Sequence, residues 1–379
     1  MRIAIVHSFY SSQRPSGENQ VVVQQADLLR AAGHEVRVVG RSTDDERTKP
    51  LFPLRTAVRL VTGADNAITR EIQGFDPDIV HIHNLFPNIG FRWISELSPP
   101  KVISLHNYRA FCSTGTFFRD HKQCFECPEL GAHRAVWHGC YHDSRVSTLP
   151  VAASRASFRK DVLQRVNAVL TTSEASDSVL RNLLGNTVTT QLVPNPGPDS
   201  GIPPQRLEER KGWIAAGRLD EEKGFQQLLA DWPTAHELTI FGDGPLTDRL
   251  QADGLEKGIR VEPGISISHF RERLSTFRGL IFPSRWLEVA PQVVVEALRV
   301  GLPVIAYREN SVAKFVEQTH VGLAYSSKED LRLCVEQLEA QYSSFCTSAY
   351  NYYVDNLRPE IWTESIINLY YQLQDSSTS

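Results

Sequence analysis

Two carboxylates eight residues apart, Glu288 and Glu296, bracket the expected start of a helix in IFPSRWLEVAPQVVVEALRVGLPVIAY, residues Ile281–Tyr307. Pro291 suits a first helical position, which needs no N–H. Val294, Val295, Ala297 and Leu298 then recur at helical spacing until Gly301. Free N–H groups and the helix dipole make such a start an anion site. A carboxylate on each side suits a ligand with hydroxyls at both ends of a diphosphate, which is the layout of a nucleotide sugar. The alternative is a pair of ordinary surface glutamates.

Further charged and metal-binding candidates lie upstream. Arg218 and Lys223 stand five apart in GRLDEEKGF, on a loop between a strand and a helix. An Arg fork and a Lys point charge there could hold a diphosphate, though solvated charges would look the same. His106 follows the strand Lys101–Leu105 at its carboxyl end, where α/β sheets bind ligands. Cys112, Cys124, Cys127 and Cys140 fall within 29 residues as C-x11-C-x2-C-x12-C. Four thiolates could close a tetrahedral, structural zinc site. A disulfide pair and free structural thiols remain open readings. Asp76-Pro77-Asp78 reads as turn chemistry rather than a metal ligand.

The elements that would position these residues form a repeating strand–helix pattern. RIAIVH, a loop bearing Gly17, a helix over 21–32 and the strand EVRVVG make a βαβ unit. DIVHIH, Lys101–Leu105 and Ala168–Thr171 continue it, and the segment 197–206, rich in Pro, Gly and Asp, reads as a linker. A second series starts at Trp213. The expected domains are 1–198, with an insertion at 111–143, then 207–355, and a final segment 356–379. In the region 42–75, Leu54, Val58 and Val61 line one helical face beside Arg55 and Arg59. Packing on the domain is the expected use of that face, and contact with a membrane surface the alternative.

These segments together resemble glycosyltransferase family 4, whose members are retaining enzymes of the GT-B fold. The match rests on the E-x7-E segment with its Pro-Ser lead-in, on Gly-Arg-Leu…Lys-Gly at 217–224, and on Val-Pro-Asn at 193–195. It covers most of the chain and is strongest over 212–307. The loop at Gly17 looks like the family's Gly-Gly loop with Ser16 in place of one glycine. Asn107 stands where the family usually has an acid after the histidine. The resemblance implies an α/β GT-B fold, two doubly wound Rossmann-like domains facing across a cleft. It implies transfer of a hexosyl unit from a UDP- or GDP-sugar. Arg218 and Lys223 would stabilise the diphosphate, Glu288 a sugar hydroxyl, and His106 would face the donor sugar. Glu296 would hold the ribose. Gly17, Val289 and Ala290 would lie along the donor, and the backbone at Gly264 and Ile265 would meet the nucleobase. Some members have a similar cysteine-bearing loop, expected here to border the acceptor. The family needs no catalytic metal.

Composition sets the remaining limits. The 379 residues carry a formal charge of −4, slightly basic in the first half and acidic in the second. No dense Lys/Arg run suggests nucleic acid. The start MRIAIVHSF turns polar too soon for a signal peptide, and no apolar run is long enough to span a bilayer. A cytoplasmic protein is expected, with peripheral contact at the inner membrane face as an option. The partners would be a nucleotide sugar and an unidentified acceptor. A GT-B epimerase or phosphorylase, or a nucleotide-sugar-binding protein without turnover, are the competing functions. No signal for a pyridoxal lysine supports the phosphorylase.

Overall fold

The computed structural model describes residues 1–12, 17–185, 188–233 and 235–378. The chain divides into two compact units. The first comprises Met1–Phe117, Cys124–Asn195 and Trp362–Ser379; the second comprises Phe118–Gln123 and Pro196–Ile361.

The first unit is built on a six-stranded parallel sheet: β1 (Arg2–Phe9), β2 (Glu35–Ser42), β3 (Ile79–Ile82), β4 (Lys101–Leu105), β7 (Ala168–Thr171) and β8 (Thr190–Leu192), in the order β2-β1-β3-β4-β7-β8. Numbers β5 (Phe118–Arg119) and β6 (Lys122–Gln123) go to an antiparallel hairpin. β1 is buried from Ile3 to Ser8, as expected of a parallel strand covered on both faces. The helix Gly17–Ala31 buries Val21, Val22, Gln25, Ala26 and Leu29 at helical spacing, so one stripe meets the sheet. The chain runs from β1 to one neighbour, β2, and later to the other, β3. The strand order therefore reverses between β1 and β3, the place where doubly wound sheets open a crevice. From Trp362 onward the C-terminal helix Pro359–Thr378 sinks Trp362, Ile366, Leu369 and Tyr370 into this unit's core.

The second unit repeats the plan with β9 (Trp213–Ala216), β10 (Leu238–Phe241), β11 (Arg260–Glu262), β12 (Gly279–Phe282), β13 (Val304–Tyr307) and β14 (Gly322–Tyr325), in the order β11-β10-β9-β12-β13-β14. Its reversal lies between β9 and β12. Core residues such as Trp213, Phe225, Ile240, Ile281 and Ile305 fill the space between sheet and helices.

Three local expectations are revised or settled. Pro291 caps the helix Gln292–Arg299 rather than opening it, with an extended ψ of 110°. The helix Phe52–Thr62 buries Leu60 but leaves Leu54, Val58 and Val61 exposed, so that apolar stripe does not pack on the domain. Asp78 accepts the Arg2 amide at 2.7 Å, and Asp76 ends a helix with φ of +50°, both structural roles.

Candidate active site

In the second unit, the ends of β9 and β12 bring Lys223 and Glu288 together. Lys223 Nζ donates to Glu288 Oε1 at 2.6 Å, with side chains 18% and 7% exposed. Ser284 Oγ and Trp286 Nε1 donate to the same oxygen at 2.8 and 2.7 Å. The ammonium also lies 5.0 Å from the Trp286 ring centre. A buried carboxylate needs such donors, since its desolvation would otherwise force it neutral. Backbone geometry allows the approach. Gly224 has φ of +73°, and a Cβ there would lie 2.1 Å from the Pro283 carbonyl oxygen. Only glycine lets the Lys223 loop close against the end of β12. The far side is braced by Ser311, whose hydroxyl donates to the Glu288 carbonyl at 2.6 Å, and by Asn310, which donates to the Ser284 carbonyl at 2.9 Å.

Arg218 is not part of this knot. Its guanidinium is half-exposed and pairs with Asp220 at 2.9 Å and Glu222 at 3.4 Å. Glu296 lies inside the helix Gln292–Arg299 and is buried. Arg271 grips it with Nε 3.0 Å from both carboxylate oxygens and Nη2 2.7 Å from Oε1. Val289 is buried and Ala290 half-buried between Glu288 and the helix start. Gly264 donates its N–H to Asp243 Oδ2 at 3.0 Å, and a Cβ there would clash with that oxygen at 2.4 Å. Ile265 follows it, leading into the helix Ile267–Leu274 that carries Arg271. One short segment thus supplies both the expected base-contacting backbone and the arginine on Glu296.

In the first unit, His106 is half-buried just past the end of β4. Its Nε2 is 2.8 Å from His83 Nδ1. His83 in turn stacks on His81, with ring centres 4.2 Å apart. His81 is spent on structure, bonded to Ser104 Oγ at 2.8 Å and to the Tyr370 hydroxyl at 2.7 Å. His7 bonds Asn19 Oδ1 at 3.0 Å. Burial pushes His106 and His81 down to about 3 and His7 to about 4, and drives His83 well below its ordinary value. All four are therefore neutral at pH 7. Beside them Glu18 is pushed up to about 7 by burial, opposed by hydrogen bonds from Asn107 and Tyr10 and by the charge of Arg109. Gly17 is exposed and opens the helix Gly17–Ala31, while Ser16 lies outside the described residues. A cavity within this unit is lined by Glu18, His83, Asn84, His106, Asn107 and Arg109 on its polar side.

The expected zinc centre is not formed. Among the described residues no three His, Cys, Asp or Glu side chains are grouped to hold a metal ion, and none of the six cysteines is in a disulfide. Cys112 is buried, its sulfur 3.1 Å from Thr114 Oγ1 in a turn before the β5–β6 hairpin. Cys124 and Cys127 come only after that hairpin, and Cys140 follows the helix His133–His138. Even the nearby His138 is turned to Glu126 at 3.0 Å, beside Arg134.

Sequence reading missed Trp286, Ser284, Ser311 and Arg271, whose roles arise from contacts across loops. It also missed the histidine group. One signal was present: His81 and His83 are two apart on β3, so they share a face. β1 pairs in parallel with β3, Val6 opposite Ile82, which carries His7 towards His83.

Residues 15–196 match the model for Glycosyltransferase Family 4, and residues 210–340 match the model for Glycosyl transferases group 1. The amylovoran biosynthesis glycosyltransferase AmsD of Erwinia amylovora is 29% identical over 137 residues, covering 34% of this chain and 38% of AmsD. The exopolysaccharide phosphotransferase SCO2592 of Streptomyces coelicolor is 28% identical over 154 residues, 38% of this chain and 16% of that protein. The chain thus matches less than half the length of these curated relatives. A sucrose-phosphate synthase from Thermosynechococcus elongatus superposes with a TM-score of 0.73 at 16% identity, covering 99% of both chains. HepE of Anabaena, solved with UDP and glucose, superposes with a TM-score of 0.65 at 14% identity, covering 98% of this chain and 100% of HepE. At such identities the likeness is one of fold, the GT-B type with two parallel-sheet α/β units.

Proposed function

We propose that this chain, a glycosyltransferase of the family 4 type by its two matches, moves a hexosyl unit from a nucleotide sugar to a glycan, lipid-linked or small-molecule acceptor, with retention at the anomeric carbon. One observation carries the reading: the Lys223–Glu288 pair at the strand reversal of the second unit, just ahead of the helix Gln292–Arg299. Lys223, Arg218 and the N–H groups at that helix start supply positive potential for a diphosphate. Val289 and Ala290 run beside it. Glu288, held by Ser284 and Trp286, takes a sugar hydroxyl. Glu296 takes the ribose, sharing its carboxylate with Arg271. The backbone at Gly264 and Ile265 takes the base, and UDP in the HepE structure favours uracil.

In the transfer, the bond from the anomeric carbon to the diphosphate breaks and the acceptor oxygen bonds the same face. The acceptor proton passes to the departing phosphate oxygen. Charge builds on that diphosphate, where Lys223 is worth most. No carboxylate is assigned as nucleophile, and this route needs none.

The test is direct. The protein is incubated with UDP-hexoses, and UDP release is followed by mass spectrometry, with calorimetry of UDP alone. Binding without release across donors and acceptors would instead support a binding protein, and no UDP affinity would end the donor assignment.

A further inference from the structure

We propose that the helix Phe52–Thr62 and the first turns of the helix Arg145–Phe158 form a docking surface for an anionic lipid bilayer, which presents the acceptor. The docking stands on its own observations. Only the word acceptor rests on the glycosyltransferase reading.

Exposed large apolar side chains stand singly elsewhere among the described residues, but they gather here. Leu51, Leu54, Val58 and Val61 are 70%, 59%, 53% and 53% exposed. Leu54, Val58 and Val61, spaced four and three apart, share one face of the helix Phe52–Thr62, and Leu51 caps its start. The packed neighbour, the helix Arg145–Phe158, adds Val146 and Leu149 at 84% and 59% exposure. Water is a poor environment for a stripe this long, and no described residue of its own unit covers it.

The charges favour a membrane over a second protein. Glu46 is buried and paired inward with Lys49 and Arg59, and Asp65 also lies 3.8 Å from Arg59. These acids are neutralised within the fold. Arg55, on the exposed helix, has no acidic partner among the described residues. Across 45–62 and 137–149 the exposed acids are Asp45 and Asp143, against exposed Arg47, Arg55 and Arg145, with Lys49 taken up by Glu46. Trp137 is 66% exposed, with the Arg145 guanidinium 5.7 Å from its ring centre. An aromatic ring beside an arginine suits the headgroup level of a bilayer, with leucine and valine below it. No helix among the described residues is long and apolar enough to cross a membrane, so the contact would be peripheral.

The same two helices wall the cavity that reaches the strand ends. Leu60 lines it from one, Val151 and Phe158 from the other, and Glu18 and His106 lie at its polar side. An acceptor carried by a lipid would have its anchor on the docking side and its hydroxyl at those strand ends.

The test uses the full chain and sedimentation with two kinds of vesicle, phosphatidylcholine alone and phosphatidylcholine with phosphatidylglycerol. The chain should bind the anionic vesicles, and salt should weaken that binding. Leu54→Glu with Val58→Glu should cut the partition coefficient by at least about a hundredfold, since two buried side chains are lost. Arg55→Glu, a milder surface change, should cut binding to anionic vesicles by about tenfold or more. UDP affinity by calorimetry should be the same in all three proteins. No binding to either vesicle would overturn the proposal, as would unchanged binding in both variants. A dimer in solution that the double variant splits would assign the face to a second copy and also overturn it. Vesicle binding without UDP affinity would support docking while removing the donor assignment.

Discussion

In the second unit the strand reversal carries an ammonium and a carboxylate 2.6 Å apart. In the first unit the equivalent place carries histidines that burial holds neutral, beside a glutamate pushed up to about 7. The two strand orders differ, but both reverse beside the unit's first strand, and the contrast there lies in the donors each loop supplies. Ser284, Trp286 and Lys223 all donate to Glu288. The histidines mostly face one another, and each raises the cost of protonating the next. A charged, partly open pair suits a ligand that brings a diphosphate. A neutral, desolvated group suits a hydroxyl that must stay uncharged until it reacts.

The largest test of that contrast removes the ammonium. Lys223→Ala should lower turnover at saturating donor by about 10²–10³, the usual loss for one electrostatic donor. Arg218→Ala should cost less, because its guanidinium is half-exposed and already answered by Asp220 and Glu222. Steady-state rates for the two variants decide this, and near-normal turnover in Lys223→Ala would remove the charged site from the chemistry.

Next come the two glutamates. Glu288→Gln should leave UDP affinity nearly unchanged while turnover falls by roughly a hundredfold, the effect of misplacing a sugar by about 1 Å. Glu296→Gln should weaken UDP and the whole donor alike. Calorimetry and rates together separate the cases; equal affinity losses would show a carboxylate misassigned.

Gly224→Ala should destabilise the second unit by about 1–3 kcal/mol, since it forces a left-handed alanine against the Pro283 carbonyl. Thermal unfolding measures it, and an unchanged midpoint would mean the loop shifts freely.

The last test concerns pH and belongs to the first unit. Glu18 has a folded value above its ordinary 4.5, about 7, so the folded state holds its proton more tightly. That contribution is present below pH 4.5 and lost as pH rises through 7. The buried His7 runs the other way: its folded value of about 4 is below 6.5. Its contribution is present above pH 6.5 and lost as pH falls through 4. Glu18→Gln should remove the loss between pH 4.5 and 7, and His7→Gln should soften the acid limb. Each effect should be on the order of 1 kcal/mol per pKa unit at most. Denaturant midpoints from pH 4 to 8 test it; identical profiles in all three proteins would show that these groups do not couple to folding.

The elements that carry the candidate residues were legible because they rest on local rules. β-strands of continuous apolar residues, a proline before a helix and a glycine after it can be read in order. Glu288 and Glu296 fall on either side of the start of Gln292–Arg299 for that reason alone. The cysteines show the limit of such reading: their spacing along the chain named them together, but among the described residues no group able to hold a metal ion is found.

The amino-acid sequence by itself determined the alternation of strand and helix, the strand ends at which ligand chemistry would gather, and the residue types standing there. These follow from backbone sterics and from the period of apolar side chains, which act over a few residues. Only the tertiary structure decided that Lys223 meets Glu288, that Arg271 holds Glu296, that four histidines are desolvated together, and that the stripe from Leu51 to Val61 faces water. Each of those depends on parts of the chain distant in sequence arriving at one place. Desolvation and pairing are properties of that shared surrounding, and no single segment carries them.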